Sequence, residues 1–390
     1  MHRSSRENRA GWRGLRACPE SFEGDLGAGT AETLVGFFLF FLKMSTKPHG
    51  IPSPTHESAL MRITVILCTY NRHAQLKGVL EDLALSALPE SVDWEVLVVD
   101  NRSTDQTADL VKKFVNQYPG RFRYILESRQ GKSHALNTGV RESRGDVLAF
   151  IDDDVTVPPT WLWSLTQSLT NGDWAGTGGR TQLAEPLTPP RWLALSGRYA
   201  LGSVLAAVFD LGDEPCQLAA PPYGVNMAYR KEMFQKYGLF RADLGPRPGN
   251  EIRNEDTEFG RRLMAAGERL RYEPAAVVYH PAPKNRIKRS FFLKWFFDYG
   301  RAEILEIGRR PDVWGIQRRY LSLPKIILTV MPVRTLRWLL SPAPSQRFFW
   351  KCIVWETAGQ MAEIYRQWGP AQKPAACASS EINAVFNDKT

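Results

Sequence analysis

The chain has 390 residues, of which 43% are hydrophobic and 23% are charged, and this composition indicates a globular protein and excludes a wholly disordered one. Its five cysteines stand singly, without a CxxC pair, which argues against a disulfide framework or a cysteine zinc site and favours a reducing compartment. The net charge of +9 is uneven, because residues 284–351 hold 15 Lys or Arg against 4 Asp or Glu. Any anionic partner should therefore dock on that segment.

Residues 1–60 are predicted to be a poorly ordered leader, much of which is not part of the folded protein. The alternative is an N-terminal segment that contacts a membrane. Gly, Pro, Ser and charged residues dominate this leader, and Met44 or Met61 could each be the true start. Its one strongly apolar run, residues 33–42, is 10 residues long. Since a membrane-spanning helix needs about 20 residues, we expect no transmembrane segment here.

Short apolar runs alternate with helical patterns from residue 62 onwards. This alternation predicts an α/β fold with a mainly parallel sheet covered by helices on both faces. The predicted strands of the first half are residues 63–68, 95–99, 123–126 and 147–151, and helices follow up to about residues 85, 117 and 143. In the second half, strands are predicted at 174–181 and 223–229, helices at 230–237 and 255–266, and a last strand at 277–280.

The predicted organisation has four parts. After the leader, residues 61–283 form one α/β domain, which divides into a first half at 61–157 and a second half at 158–283. Residues 284–370 form a helical extension rich in basic and aromatic side chains, and residues 371–390 a disordered tail.

An acidic run, Asp152-Asp153-Asp154, follows the fourth predicted strand and contains an Asp-x-Asp pattern. Adjacent carboxylates repel one another unless a cation neutralises them, and hard oxygen ligands suit Mg²⁺ or Mn²⁺. Alternate residues of an extended segment share a face, so Asp152 and Asp154 are the predicted ligands, and Asp153 is the least expected to matter. Ligands of open α/β sheets bind at the carboxyl ends of the strands, which favours a binding site over a solvated acidic turn.

Other chemistry-bearing residues each have two interpretations. Asp100 ends the second strand, where it could contact a ligand or cap the next helix. Asp256, with Glu255 before it, could be a general base or could suit the helix dipole. His280 is a third metal ligand if the fold brings it to the acidic run. Lys132 opens a helix and could meet a phosphate.

Seven segments in order give the sequence a recognisable pattern: ITVILCTYNR, EVLVVDNRSTDQT, GKSHALNTGV, RGDVLAFIDDDV, YGVNMAYRKEMF, NEDTEFGRRL and VVYHP. Over residues 62–281 the chain resembles the family 2 glycosyltransferases. The resemblance implies the Rossmann-like GT-A fold and sugar transfer with inversion from a nucleotide-sugar, UDP- or GDP-linked, to an acceptor hydroxyl. The processive Gln-x-x-Arg-Trp motif is not matched, because Arg334 stands where the Gln would be, so a single addition is expected.

The resemblance implies that residues 61–283 are a GT-A glycosyltransferase domain, with a nucleotide-binding half at 61–157 and an acceptor half at 158–283. It also implies roles for individual residues. Thr69, Tyr70 and Asn71 would line the nucleotide pocket, Asp100 would contact the base, and Asn137 would flank the nucleotide. Asp152 would face the ribose or the metal, Asp154 would coordinate Mn²⁺ or Mg²⁺ at the diphosphate, and His280 would contact the metal or diphosphate. Asp256 would be the catalytic base, with Glu255 supporting the acceptor site.

The extension contains 12 aromatic residues among its basic ones within residues 284–351. These side chains could bind an anionic membrane surface, or they could pack on the catalytic core. The expected location is the cytoplasm, with peripheral attachment to the cytoplasmic face of the membrane in the first case. The expected acceptor is a sugar or a lipid-linked acceptor. Two rival functions remain open, a sugar-phosphate nucleotidyltransferase and a non-catalytic protein that binds a membrane surface or nucleic acid. A nucleotidyltransferase usually needs a Gly-rich, basic loop after the first strand, and residues 69–72 are not such a loop. The non-catalytic alternative leaves the acids at 152–154 and 256 unexplained, and no nucleic-acid partner is expected.

Overall fold

The structure, a computed structural model, describes residues 61–170, 173–308 and 325–368. The predicted leader at 1–60 and tail at 371–390 lie outside these residues, so neither prediction is tested. The four-part division of the chain likewise stays a prediction.

The first half of the described chain alternates strands with helices. Its elements are β1 (Met61–Thr69), α1 (His73–Ala84), β2 (Val92–Asp100), α2 (Thr107–Gln117), β3 (Phe122–Leu126), α3 (Lys132–Glu142) and β4 (Val147–Ile151). Strands β3, β2, β1 and β4 are neighbours in that order and all pair in parallel. Each of the four apolar runs that predicted a strand in this half lies within a strand of the structure.

The second half adds four strands to the same sheet. Its elements are α4 (Trp161–Thr166), β5 (Gly176–Leu183), α5 (Gly202–Ala206), β6 (Cys216–Gln217), β7 (Asn226–Arg230), α6 (Lys231–Tyr237), α7 (Glu255–Ala265) and β8 (Leu270–His280). The full strand order is β3-β2-β1-β4-β7-β5-β8-β6, with β7 antiparallel to both of its neighbours. The predicted fold class is confirmed, as a mixed sheet with helices on its faces, which is the GT-A architecture that the resemblance implies.

Strand β8 is longer than the sequence predicted, because it begins at Leu270 rather than near residue 277. Its register against β5 shifts between Gly179 and Arg180, which pair with Glu273 and Val277. The extra residues 274–276 form an irregularity of the kind that tolerates a proline within a strand, and Pro274 lies there. Because Pro274 and the charged residues before it interrupt the apolar pattern, the first half of this strand was not predicted.

Apolar side chains of the strands pack against helices on both sheet faces. On one face Ile63, Val65 and Leu67 of β1 are buried together with side chains of α1 and α2. On the other face Ile66 is buried with side chains of α3, α6 and α7. Alternate residues of β1 thus point to opposite layers, as both faces of a covered sheet require.

The C-terminal extension is helical, as predicted, with α8 (Arg289–Ile307), α9 (Lys325–Leu340) and α10 (Pro344–Trp368). Phe292, Phe296 and Phe348 are buried in a cluster that also holds Leu193 and Leu201, which lie between β5 and α5. Much of the aromatic content of α8 and α10 therefore packs on the protein, which was one of the two interpretations of the sequence. None of the described helices combines the length and apolar character that crossing a bilayer demands.

Candidate functional site

The carboxyl ends of three adjacent parallel strands meet at one edge of the sheet. Thr69, the last residue of β1, pairs with Asp100, the last of β2, and Leu67 pairs with Ile151, the last of β4. The acidic run begins at the next residue, Asp152. The convergence that the sequence predicted is therefore present.

Three side chains at this edge could hold a metal ion. Asp152, Asp154 and His280 each offer one ligand atom, and these atoms lie within 4.8 Å of one another. His280 ends β8 and is 4% exposed, so the whole length of that strand is needed to bring it here. Asp153 does not belong to this set.

The imidazole of His280 has a suitable orientation for a metal ligand. Its Nδ1 lies 2.7 Å from the carbonyl oxygen of Pro281, an acceptor, so Nδ1 carries the proton and Nε2 has the free lone pair. Nε2 is 3.8 Å from Oδ1 of Asp154. Histidine ligands commonly donate their other ring N–H to a carbonyl in this way. Two carboxylates and an imidazole fit Mn²⁺ well and Mg²⁺ acceptably.

Arg72, which the sequence reasoning missed, is bound to the acidic run. Its Nη1 donates to Oδ1 of Asp153 at 2.9 Å and to Oδ2 of Asp154 at 2.8 Å. Burial, only partly offset by Arg72, raises the pKa of Asp153 to about 6. A second missed residue, Arg286, feels the charges of Asp154 and Arg72, although burial is what chiefly lowers its pKa.

Lys132 links the acidic run to the predicted catalytic acids. Its Nζ donates to Oδ1 of Asp152 at 2.7 Å and lies 3.9 Å from Oε1 of Glu255. Burial alone would lower the pKa of Lys132, but the two carboxylates outweigh it and raise that pKa. Burial likewise opposes ionisation of Asp152, but Lys132 outweighs it and lowers the pKa of the carboxyl. Lys132 is therefore a firmly charged cation at the centre of the site.

Glu255 and Asp256 form the first turn of α7, directly after Asn254, whose φ is 78°. Glu255 is 3% exposed, and burial together with the Asp256 carboxylate raises its pKa. Asp256 is half-buried and accepts from the backbone N–H of Gly224 through Oδ2 and from that of Thr257 through Oδ1. Two backbone donors hold this carboxylate in one orientation, which suits a base that must meet an acceptor hydroxyl.

A loop ties this region to the start of α3. The backbone N–H of Lys132 donates to the carbonyl of Pro246 at 2.9 Å, and the Ser133 hydroxyl donates to the carbonyl of Leu244 at 2.7 Å. A Cβ on Gly245, whose φ is 88°, would overlap the oxygen of Ser133. The loop therefore approaches the helix at backbone distance, which only glycine allows here.

Two predicted nucleotide contacts have protein partners of their own. Asp100 is 1% exposed and accepts from the backbone N–H of Ser103 at 2.8 Å and from the Tyr124 hydroxyl at 2.9 Å. Asn137 bonds both the N–H and the carbonyl of Phe240, at 2.9 Å and 2.8 Å. The structure thus brings Asn137 to Phe240 rather than to the acidic run.

Three more of the predicted nucleotide contacts lie at the end of β1 or directly after it. Thr69 is buried, whereas Tyr70 is 38% exposed and Asn71 is also exposed. Asn71, with φ 51°, accepts from the backbone N–H of Thr104 at 2.7 Å, which joins the β1 and β2 turns. These two residues therefore lie at the rim of the same edge.

Comparisons with known proteins place this geometry in context. The family model "Glycosyl transferase family 2" matches residues 64–238. Succinoglycan biosynthesis protein ExoM of Rhizobium meliloti is 28% identical over 242 residues, 62% of this chain and 74% of that protein. Glycosyltransferase AglE of Haloferax volcanii is 27% identical over 263 residues, 67% of this chain and 77% of that protein.

The chain is also similar to proteins of known structure. The mannosyltransferase PcManGT from Pyrobaculum calidifontis, in complex with GDP-Man and Mn²⁺, has a TM-score of 0.47 and 18% identity. That match covers 87% of this chain and 85% of the mannosyltransferase.

Proposed function

We propose that the chain is a family 2 glycosyltransferase, since the model of that family matches residues 64–238 and the relatives named above are glycosyltransferase-like in sequence. It would transfer a sugar from a nucleoside-diphosphate sugar, UDP- or GDP-linked, to an acceptor hydroxyl with inversion. The observation that carries this proposal is the meeting of Asp152, Asp154 and His280 within 4.8 Å at the carboxyl edge of the sheet. Lys132 joins that set to the acids of α7.

Asp256 is the proposed catalytic base. Its carboxylate accepts the proton of the acceptor hydroxyl while the hydroxyl oxygen forms a bond to the anomeric carbon. The bond between that carbon and the diphosphate oxygen breaks, and the electron pair leaves with the nucleoside diphosphate. The N–H groups of Gly224 and Thr257 keep the Asp256 carboxylate aimed, and Glu255 supports the acceptor beside it.

Asp154, Asp152 and His280 would hold a Mn²⁺ or Mg²⁺ ion. Such an ion would neutralise charge that develops on the departing diphosphate. Thr69, Tyr70, Asn71 and Asp100, with Asn137 behind them, would form the nucleotide side of the site, with Asp152 toward the ribose. Lys132 supplies a fixed positive charge next to Asp152.

The acceptor is proposed to be a sugar or a lipid-linked sugar in polysaccharide or glycolipid assembly. The relative named for succinoglycan biosynthesis supports this class. A lipid-linked acceptor would require the protein to reach an anionic membrane surface, which we place on the cytoplasmic side. The basic segment 284–351 is the part of the chain suited to that contact.

A panel of nucleotide-sugars, assayed with and without Mn²⁺, tests the proposal. We expect one donor to raise the melting temperature and to be consumed only with the ion present. Asp256→Asn should lower kcat by about 10²–10⁴-fold and leave donor binding unchanged. Asp93→Asn is the matched control, because Asp93 pairs with Arg62 at the amino end of the sheet and should keep full activity.

Two results would contradict the proposal. Full turnover by Asp256→Asn would remove the assigned base. Release of pyrophosphate from a nucleoside triphosphate, without sugar transfer, would establish the nucleotidyltransferase alternative. Anomeric analysis of the product by NMR tests inversion separately.

A further inference from the structure

An apolar stripe is exposed along helix α9. Ten large apolar side chains are exposed in the described chain, and four of them fall within eight residues of this helix. They are Val333, Leu336, Leu339 and Leu340, which keep 51%, 57%, 61% and 70% of their surface exposed. Clustered exposed apolar surface of this kind marks an interaction site, whereas single exposed leucines do not.

The opposite side of α9 packs on the protein. Arg334 of α9 donates to Glu356 at 3.1 Å and to Thr357 at 2.6 Å, both on α10. The ring centre of Trp338 on α9 lies 6.3 Å from that of Trp355 on α10. At 3.6 residues per turn, Leu336 and Leu340 lie opposite Arg334 and Trp338. The apolar stripe therefore faces away from α10.

The charges near the stripe have one sign. Between Asp312 and Glu356 the sequence contains seven Lys or Arg and no acidic residue. Arg337 is exposed beside the stripe, and its guanidinium lies 4.8 Å from the Trp350 ring centre. The Lys351 ammonium lies 5.4 Å from the ring centre of Trp338. Basic side chains stacked on tryptophans at the edge of an apolar strip are typical of helices that lie in a membrane interface.

We propose that the exposed face of α9, formed by Val333, Leu336, Leu339 and Leu340, docks on an anionic lipid surface. The helix would lie in the plane of the interface, with its leucines among the acyl chains and Arg337 and Lys351 at the headgroups. This inference deepens the proposed function, because it names the surface by which the enzyme would reach a lipid-linked acceptor. It also replaces the aromatic residues of α8 and α10 as the expected contact, since much of that aromatic content is packed inside.

A second copy of the chain fits this face less well. A two-fold contact would press the same patch against itself. Arg337 and Lys351 of one copy would then approach those of the other without an acid between residues 313 and 355 to pair with them. Like charges brought together in this way oppose association.

Vesicle sedimentation of the full chain tests the inference. The wild type should bind phosphatidylcholine vesicles containing about one-third phosphatidylglycerol, should bind pure phosphatidylcholine weakly, and should be released by salt. The double variant Leu336→Ser/Leu340→Ser should bind the anionic vesicles at least about tenfold less, because both side chains lose apolar contact. Leu85→Ser is the matched control, since Leu85 is 67% exposed at the end of α1, and it should bind as the wild type does.

All three proteins should melt at the same temperature, because the substituted leucines are exposed, and should hydrolyse or transfer the donor equally in solution. Three outcomes would overturn the inference: no binding of the wild type to anionic vesicles, equal binding of the wild type and the double variant, or a dimer that the double variant dissociates while vesicle binding is unchanged. If the wild type neither hydrolysed nor transferred any donor in solution, the result would instead count against the proposed function. Failure of the membrane inference and failure of the proposed function are therefore distinguishable.

Discussion

Arg72 donates to two carboxylates of the acidic run, and one of them, Asp154, also belongs to the set that could hold a metal ion. A guanidinium and a divalent cation held by that set would therefore compete for the same carboxylate. Without an ion, Arg72 compensates the charge of Asp154 and of Asp153, which is 6% exposed. Its own side chain is 41% exposed, so it can swing away without losing a buried position.

Replacing Arg72 should strengthen ion binding. We expect Arg72→Gln to bind Mn²⁺ about tenfold more tightly in the absence of nucleotide, because a competing positive charge next to Asp154 is gone. Its melting temperature without the ion should fall, and Mn²⁺ should raise it by more than in the wild type. Calorimetric titration with Mn²⁺ and thermal melts measure both effects.

Arg62→Gln is the matched control for Arg72→Gln. Arg62 forms a comparable pair with Asp93 at 3.0 Å, but at the amino end of β1, far along the strand from the acids. It should leave the Mn²⁺ affinity unchanged. Weaker Mn²⁺ binding by Arg72→Gln would show that Arg72 organises the ligands rather than competing with the ion.

The local sequence could place Asp100 and the acidic run at one edge of the sheet, because each stands at the carboxyl end of a buried parallel strand. It could not predict Arg72, because its partner Asp154 is 82 residues away and no local pattern tells where a long side chain reaches. The bonds of the Asn137 amide to Phe240, 103 residues away, could not be predicted for the same reason. Contacts between side chains that are far apart in the chain are therefore what a single sequence does not predict.

Helices α8 and α10 cross at two glycines. A Cβ on Gly359 would overlap the backbone oxygen of Phe297, and one on Gly300 would overlap that of Glu356. Both obstacles are backbone atoms, which cannot rotate away as a side chain could. The two helices therefore touch backbone to backbone, at a distance that no other residue allows.

Gly359→Ala should lower the free energy of unfolding by about 1–3 kcal/mol, because the added methyl forces the two helices apart. Gly78→Ala in α1 is the matched control, since no atom lies within 4 Å of its Cβ position. That substitution should raise the free energy of unfolding by about 0.5–1 kcal/mol, as alanine favours a helix. Urea denaturation followed by circular dichroism measures both. Equal effects of the two substitutions would contradict the close crossing.

Among the strands, the most buried ones were predicted most accurately from the sequence. Strands β1, β2 and β4 are buried on both faces, so their apolar runs stood out and were correctly located. The two-residue strand β6 and the first part of β8 were missed, since neither has a continuous apolar run. The extension was predicted to be helical, but the bounds of α8, α9 and α10 within it were not predicted.

For the whole molecule, the boundary predicted at residue 283 divides the sequence but not the apolar core. Leu193, Leu201 and Leu205 of the acceptor half are buried in the same cluster as Phe292 of α8 and Phe348 of α10. A chain that ends at residue 283 would leave these leucines uncovered. Truncation there would therefore confuse loss of membrane contact with loss of core, which is why substitutions on α9 are the sharper test of docking.

A chain ending at Pro283 should accordingly be less stable than the full chain and should self-associate. Three leucines, each at most 3% exposed in the full chain, would lose their cover. Each loses about 1.5–3 kcal/mol of burial free energy when it returns to water. A chain ending at Trp368, which keeps α8 to α10, is the matched control and should melt as the full chain does. Thermal melts and light scattering measure the two quantities. A monomeric 283-residue chain with the full chain's melting temperature would show that the extension is an accessory, whereas the shared cluster makes it a part of the fold on which the acceptor half depends.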